Sequence, residues 1–174
     1  MSQEVIINIG VSGAGKTTWS EKFIQKNPNY IRINRDDIRK TLRVSLDGYY
    51  QQEKNLLNNI ENLINNIEDT IYIKALNRGF SVIIDNTNLK ISYIQRWVDF
   101  VNIYNQSKVK FGDNVTFRLK LFIENDSNIL KKRIDVRDAP LGWDKLDYID
   151  KQINSITSVI SYVEDNYKNY ILND

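Results

Sequence analysis

Cysteine and histidine are both absent from the 174 residues. Without thiols, disulfides, thiolate zinc sites and cysteine nucleophiles are excluded. Without imidazole, a histidine general base, a Ser-His-Asp triad and histidine metal ligands are excluded too. Proton transfer then falls to Asp, Glu, Lys or Tyr, and any metal is expected to be a hard cation held by oxygen. Proline occurs twice, at Pro28 and Pro140, and glycine seven times, so nothing reads as a flexible linker. No apolar run approaches the ~20 residues of a membrane span, and the N-terminal MSQEVIINIGVSG lacks the basic start of a leader. The expectation is a soluble cytoplasmic protein with no membrane contact. Net charge is only +2, from 24 basic and 22 acidic residues, so attraction to a polyanion must come from local patches.

What is present fits a globular protein, with 41% hydrophobic and 26% charged residues. The length suits one domain. Short apolar runs at 5–9, 30–33, 81–84 and 115–123 read as strands. Between them lie helical patterns at 17–26, 36–43, 50–76, 92–104 and 127–137, and a last amphipathic helix follows over 146–163. In the longest, Leu56, Ile60, Leu63, Ile64, Ile67 and Ile71 recur at helical spacing, with asparagines on the polar face. Strands alternating with helices imply an α/β fold, a parallel sheet sandwiched by helices. Such sheets bind ligands beyond the carboxyl ends of their strands.

The first of those ends is Gly10-Val11-Ser12-Gly13-Ala14-Gly15-Lys16-Thr17, which satisfies G-x-x-x-x-G-K-[ST] between a strand and a helix. Gly13 and Gly15 let backbone amides approach phosphate oxygens. The helix that follows directs its positive end at the same anion. Lys16 suits the β- and γ-phosphates, and the Thr17 hydroxyl suits Mg²⁺. The segment therefore reads as a nucleoside-triphosphate site.

The second end, Asn34-Arg35-Asp36-Asp37-Ile38-Arg39, is expected beside the phosphate loop. An acceptor hydroxyl needs a carboxylate, and Asp36 and Asp37 are the candidates. Arg39 follows Asp36 by three residues and shares its helical face. Such a pair suits an acceptor bearing both a hydroxyl and a phosphate, although both acids also suit a plain helix N-terminus. Residues 32–43 hold five basic residues, Arg32, Arg35, Arg39, Lys40 and Arg43, against two acidic ones. The third end, Asp85-Asn86-Thr87-Asn88, offers an acid to support Mg²⁺ and polar groups for substrate. Arg133 and Arg137 are four residues apart on one helical face, suited to charge on a transferring phosphate. The stretch 126–143 reads as a lid.

Taken in order, GVSGAGKTTW, INRDDIR, IIDNTNL and KKRIDVR resemble the phage-type polynucleotide 5′-hydroxyl kinases, which are P-loop kinases. The resemblance covers most of the chain. It implies a single P-loop kinase domain over 1–174, with ATP and Mg²⁺, that phosphorylates the 5′-OH ends of DNA or RNA. By match to the motifs, ATP would lie on Gly10, Ser12, Gly13, Ala14, Gly15, Lys16, Thr17, Thr18 and Arg133, with Arg137 as the lid arginine. Asp36 would be the general base, and Arg39 would bind the phosphate 3′ to the end nucleotide. Arg35, Asp85, Asn86, Thr87, Asn88 and Arg133 would line the substrate side, and Thr17 and Asp85 would support the metal. Asp85-Asn86 places an acid and an amide at adjacent positions, so either can carry the family's polar role. No D-x-D-G-T signature occurs, so 3′-phosphate removal is expected of a separate chain.

Two rival readings share the phosphate loop. One is a kinase of a small alcohol, nucleoside or nucleotide, and the other a nucleotide-binding regulatory module with little turnover. The tyrosine-rich tail, Tyr162, Tyr167 and Tyr170, is expected to offer a face to a second copy of the chain.

Overall fold

The computed structural model describes residues 2–42, 53–108, 114–124, 126–135 and 145–172. Four strands form the sheet: β1 (Glu4–Gly10), β2 (Tyr30–Ile33), β3 (Ser81–Ile84) and β4 (Thr116–Phe122). Six helices accompany them: α1 (Lys16–Lys26), α2 (Arg35–Thr41), α3 (Lys54–Asn77), α4 (Ile91–Lys108), α5 (Ser127–Asp135) and α6 (Lys145–Tyr167). All the strands pair in parallel, in the order β2-β3-β1-β4. The expected helix starts and ends in 43–52 and 136–144 lie outside the described residues.

The strand sequences explain their position. Val5, Ile6, Ile7 and Ile9 are completely buried in β1, as are Val82, Ile83 and Ile84 in β3. Strands covered on both faces lose the polar alternation of a half-exposed sheet. Val5, Ile7 and Ile9 join one core with Ile64, Tyr72, Trp97, Val101, Val159 and Val163, which come from α3, α4 and α6. Asn8 points the other way, toward α1, where its Nδ2 donates to Ser20 Oγ at 2.8 Å. No helix among the described residues is long and apolar enough to cross a membrane.

Two of the tail tyrosines pack on β4, Tyr170 remaining 44% exposed. Tyr170 stacks on Phe117 of β4 with ring centroids 4.4 Å apart, and Tyr167 meets the same ring edge-on at 5.8 Å.

Two features of the sheet give testable consequences. Gly10 lies opposite Phe122, and a Cβ at Gly10 would sit 2.8 Å from the Phe122 Cβ and 2.9 Å from its carbonyl oxygen. Backbone oxygen cannot swing aside, so Gly10→Ala is expected to destabilise the fold by about 1–3 kcal/mol. A urea midpoint unchanged from wild type would refute this.

The second is Tyr30, whose hydroxyl donates to Glu4 Oε2 at 2.8 Å. Burial, reinforced by the Glu4 carboxylate, pushes its pKa up to about 12 from 10.0. Tyr167 rises to about 12 as well, chiefly through burial. Below the unfolded value both states keep these protons and the stabilisation is whole. As pH climbs, the unfolded chain releases them first, so stability drains away until the folded tyrosines also ionise at about 12. The thermal midpoint is expected to fall steeply over that window, and Tyr30→Phe to flatten part of the slope. An identical slope in the variant would count against the Tyr30 assignment.

Candidate active site

Parallel pairing sends all four strand ends to one edge of the sheet, and each end carries one piece of the site. β1 leads into the phosphate loop, where Gly13 and Gly15 take positive φ values of 83° and 95°. Side chains disfavour that backbone, so glycine is required there. Lys16 is buried, and its Nζ donates to the carbonyls of Gly10 at 2.9 Å and Val11 at 2.8 Å. The ammonium is thus seated on the loop's own backbone. Thr17 is half-buried and Thr18 exposed at the start of α1.

The far side of the loop is held by α5 and α6. Arg133 Nη1 donates to Gly13 O at 3.2 Å, which brings this expected site residue to the loop. Gln152 on α6 accepts the Ser12 amide at 2.7 Å. The Ser12 backbone N–H is therefore committed to α6, and the Ala14 N–H donates to the Val11 carbonyl at 3.2 Å. Val11 packs with Leu130, Ile149 and Ile156, and Ala14 adjoins the same small core. Arg137 lies outside the described residues.

β2 ends at Asn34, which caps α2. Its Oδ1 accepts from the amides of Asp36 at 2.9 Å and Asp37 at 3.1 Å, while its Nδ2 donates to the Asp85 carbonyl. This satisfies two of the amides that a helix start leaves open. Asp36 follows in the first turn with its side chain 77% exposed, and Arg39 Nη1 donates to its Oδ1 at 2.7 Å. Arg39 is itself buried. Its Nε and Nη2 donate to Glu61 of α3 at 3.1 and 2.8 Å. Arg35 also donates to Glu61 at 2.5 Å, so one carboxylate orients both guanidiniums.

The position of this cluster differs from expectation. β3 lies between β2 and β1, so the Asp36 turn is one strand removed from the phosphate loop rather than adjacent to it. Two strand spacings amount to about 10 Å. The reason is the crossover from β1 to β2, which skips a place in the sheet that β3 later fills.

The end of β3 behaves differently from its reading as a polar substrate wall. Asp85 is fully buried. Arg32 Nε donates to its Oδ2 at 2.6 Å, and Asn8 Nδ2 to its Oδ1 at 3.1 Å. Burial lowers the Arg32 pKa, but the Asp85 and Asp37 carboxylates outweigh it and leave the value raised. Both oxygens of Asp85 are thus engaged by side chains behind the loop. Asn86 accepts the Arg35 amide at 3.1 Å and donates to buried Glu68 at 2.6 Å, fastening α2 to α3. Asn88 is buried in a left-handed turn at φ 49°, and its Nδ2 donates to the Asn8 carbonyl. Its side chain is structural, not substrate-facing. Thr87 is half-buried, and its carbonyl accepts the Gly10 amide at 3.1 Å.

The residues suit Mg²⁺ brought in with a nucleotide. No group of three acidic side chains among the described residues forms a dedicated cation cage. Magnesium characteristically keeps waters and takes substrate phosphates with few protein oxygens, and the Thr17 hydroxyl is one such oxygen.

Four contributors escaped the sequence reading: Glu61, Glu68, Gln152 and Asn8. Glu61, Asn65 and Glu68 lie at i, i+4 and i+7 on α3, so they form a single stripe. That stripe was legible as a face, but nothing local marks which arginines meet it.

A parallel sheet whose central strand feeds a glycine-lysine-threonine loop defines a P-loop nucleotide-binding fold of the kinase type. The AAA domain family model matches residues 5–161, and the chain belongs to that family. Among curated proteins, 109 residues are 28% identical to a protein of Autographa californica nuclear polyhedrosis virus described as a bifunctional polynucleotide kinase/RNA ligase, covering 60% of this chain and 15% of that one. Among solved structures, a chain of the Pnkp1/Rnl/Hen1 RNA repair complex aligns at TM-score 0.69 and 23% identity, over 92% of this chain and 46% of that chain. A second Pnkp1/Rnl/Hen1 complex aligns at TM-score 0.58 and 25% identity, over 84% and 44%. Deoxyadenosine kinase from M. mycoides, with bound dATP, aligns at TM-score 0.51 and 14% identity, over 97% and 90%. The chain thus spans less than half the length of the repair proteins it matches. These names agree with the resemblance carried by the four motifs.

Proposed function

We propose that this chain is an ATP-dependent polynucleotide 5′-hydroxyl kinase acting on DNA or RNA ends. The observation that carries the reading is the pair of Asp36 and Arg39, braced by Glu61 at the same sheet edge as the phosphate loop. A gap of one strand between base and loop accommodates a terminal phosphate and the sugar oxygen that attacks it. The viral relative and the repair complexes, whose names pair a polynucleotide kinase or Pnkp1 with RNA ligation or RNA repair, support RNA ends among the acceptors.

In this mechanism the amides of Gly13, Gly15, Lys16 and Thr17 and the Lys16 ammonium hold the triphosphate. Arg133 and Arg137 add positive charge on its outer side. Arg39 receives the phosphate 3′ to the end nucleotide while keeping Asp36 in place. Asp36 accepts the proton of the 5′-hydroxyl as its oxygen bonds to the γ-phosphorus; the bond to the bridging oxygen breaks and ADP leaves. The Thr17 hydroxyl would help hold Mg²⁺ when it is bound, and the ion would supply neutralisation of the accumulating charge. Positioning and electrostatics do most of the work.

The test is transfer of labelled γ-phosphate from ATP to 5′-OH DNA and RNA oligonucleotides, each compared with a free nucleoside. Label on an oligonucleotide and little on the nucleoside is the expected result. Preference for the nucleoside would establish the small-acceptor rival, and ATP binding without transfer would establish the regulatory one. Arg39→Ala is expected to raise KM for the oligonucleotide roughly ten- to a hundredfold, the worth of one charged hydrogen bond, with KM for ATP little changed. Equal rises in both constants would contradict the role given to Arg39.

A further inference from the structure

We infer that Gln152 is a positioning residue for nucleotide binding, acting through the phosphate loop from 140 residues away. Its side-chain oxygen accepts the Ser12 amide at 2.7 Å, and the residue is buried. Buried side-chain amides are uncommon unless their hydrogen bonds are needed. This one is spent on the phosphate loop, not on its own helix.

The consequence for the loop is geometric. A peptide amide on the rim of an anion cradle can point into the cradle or away from it. Gln152 draws the Ser12 amide away, and this fixes the plane of the Val11–Ser12 peptide, one residue before Gly13. Gly13, at φ 83°, then turns the chain so that the Ala14 amide closes back on the Val11 carbonyl at 3.2 Å, which sets the shape of the loop ahead of Gly15. Arg133 takes the Gly13 carbonyl from α5 at 3.2 Å, so the Ser12-Gly13 backbone is held by two different helices, at the Ser12 amide and at the Gly13 carbonyl. Leu130 packs against the same turn, where a Cβ on Gly13 would meet its carbonyl at 3.2 Å. Lys131 and Asp150 approach to 3.5 Å and tie α5 to α6. The loop is therefore clasped from behind before any nucleotide arrives, which is preorganisation of an anion site. A neutral amide suits this position because a carboxylate would bring negative charge close to the triphosphate.

The inference rests on reading the loop as a nucleotide cradle, and direct ATP binding separates the two claims. If the wild-type chain binds no ATP, the cradle reading itself fails. If it binds ATP, the variants decide. Gln152→Leu deletes the acceptor and is expected to weaken ATP binding at least tenfold, and to raise KM for ATP while leaving KM for the oligonucleotide within twofold. Gln152→Glu keeps an acceptor oxygen in the same place. It is expected to retain most of the lost affinity at high salt, where its added charge is screened. A residue that merely supports the fold would lower the thermal midpoint in both variants and leave the ATP dissociation constant of the folded protein unchanged. That result would overturn the inference. Should Gln152→Leu not fold, amide hydrogen exchange of wild-type Ser12 decides: protection without nucleotide is expected, and exchange at the rate of an exposed loop would overturn it.

Discussion

Replacing Asp36 with asparagine is expected to lower phosphoryl transfer by about 10²–10⁴-fold, the usual contribution of a positioned base, while leaving ATP binding within about twofold. Asparagine matches the aspartate in shape but cannot take a proton at neutral pH. The variant is a clean probe because the side chain is 77% exposed. Surface substitutions of this kind change stability little, and losing one acid from the first turn of α2 costs at most about 1 kcal/mol. Arg39 keeps its bidentate hold on Glu61 through Nη2, at 2.8 and 2.9 Å, so the neighbouring guanidinium stays in place. Single-turnover transfer and equilibrium ATP binding, measured side by side, check the prediction. Wild-type turnover in the variant would remove Asp36 as the base and return Asp37, 51% exposed and paired with Arg32, to consideration.

Replacing Arg32 with methionine is expected to be the most destabilising change at the strand-end edge, at about 3–5 kcal/mol. The variant strands the fully buried Asp85 carboxylate with only the Asn8 amide for company. A buried charge that loses its partner carries its whole desolvation penalty, whereas removing both partners removes most of it. The double variant Arg32→Met with Asp85→Asn is therefore expected to recover a large part of the loss, giving a clear coupling in a double-mutant cycle. The exposed half of the same network, Arg32 with Asp37, should contribute little by itself. Denaturant midpoints of the four proteins check this. Additive losses would mean that Asp85 finds another partner, and would weaken its role as the support behind the phosphate loop.

Both predictions concern the same edge, and they show how differently its parts could be read in the sequence. The phosphate loop was legible residue by residue, because its chemistry is local. Each glycine, the lysine and the threonine act through backbone angles and contacts within eight positions. The Asp36–Arg39 pair was legible for the same reason, since a helix brings residues three apart together. The strands announced themselves as apolar runs, and the structure places them within a residue or two of those runs.

Asp85 and Asn86 were legible as a polar strand end, but their division of labour was not. Adjacent residues at the end of a strand point to opposite sides. Which side holds Arg32 and Asn8, and which holds Arg35 and Glu68, depends on the helices that arrive later. Asn88 looked like a substrate contact and is instead a buried tie to β1.

By itself, the amino-acid sequence determined the elements, the phosphate cradle, and the chemistry excluded by the lack of histidine and cysteine. These follow from short-range sterics and hydrogen bonds that act wherever the segment lies. Tertiary structure alone decided that β3 stands between the cradle and the Asp36 turn, that Glu61 serves two arginines, and that Gln152 reaches Ser12. Each of these depends on where the chain crosses the sheet and which buried faces close against one another. That choice minimises exposed apolar surface over the whole molecule, so no single segment encodes it.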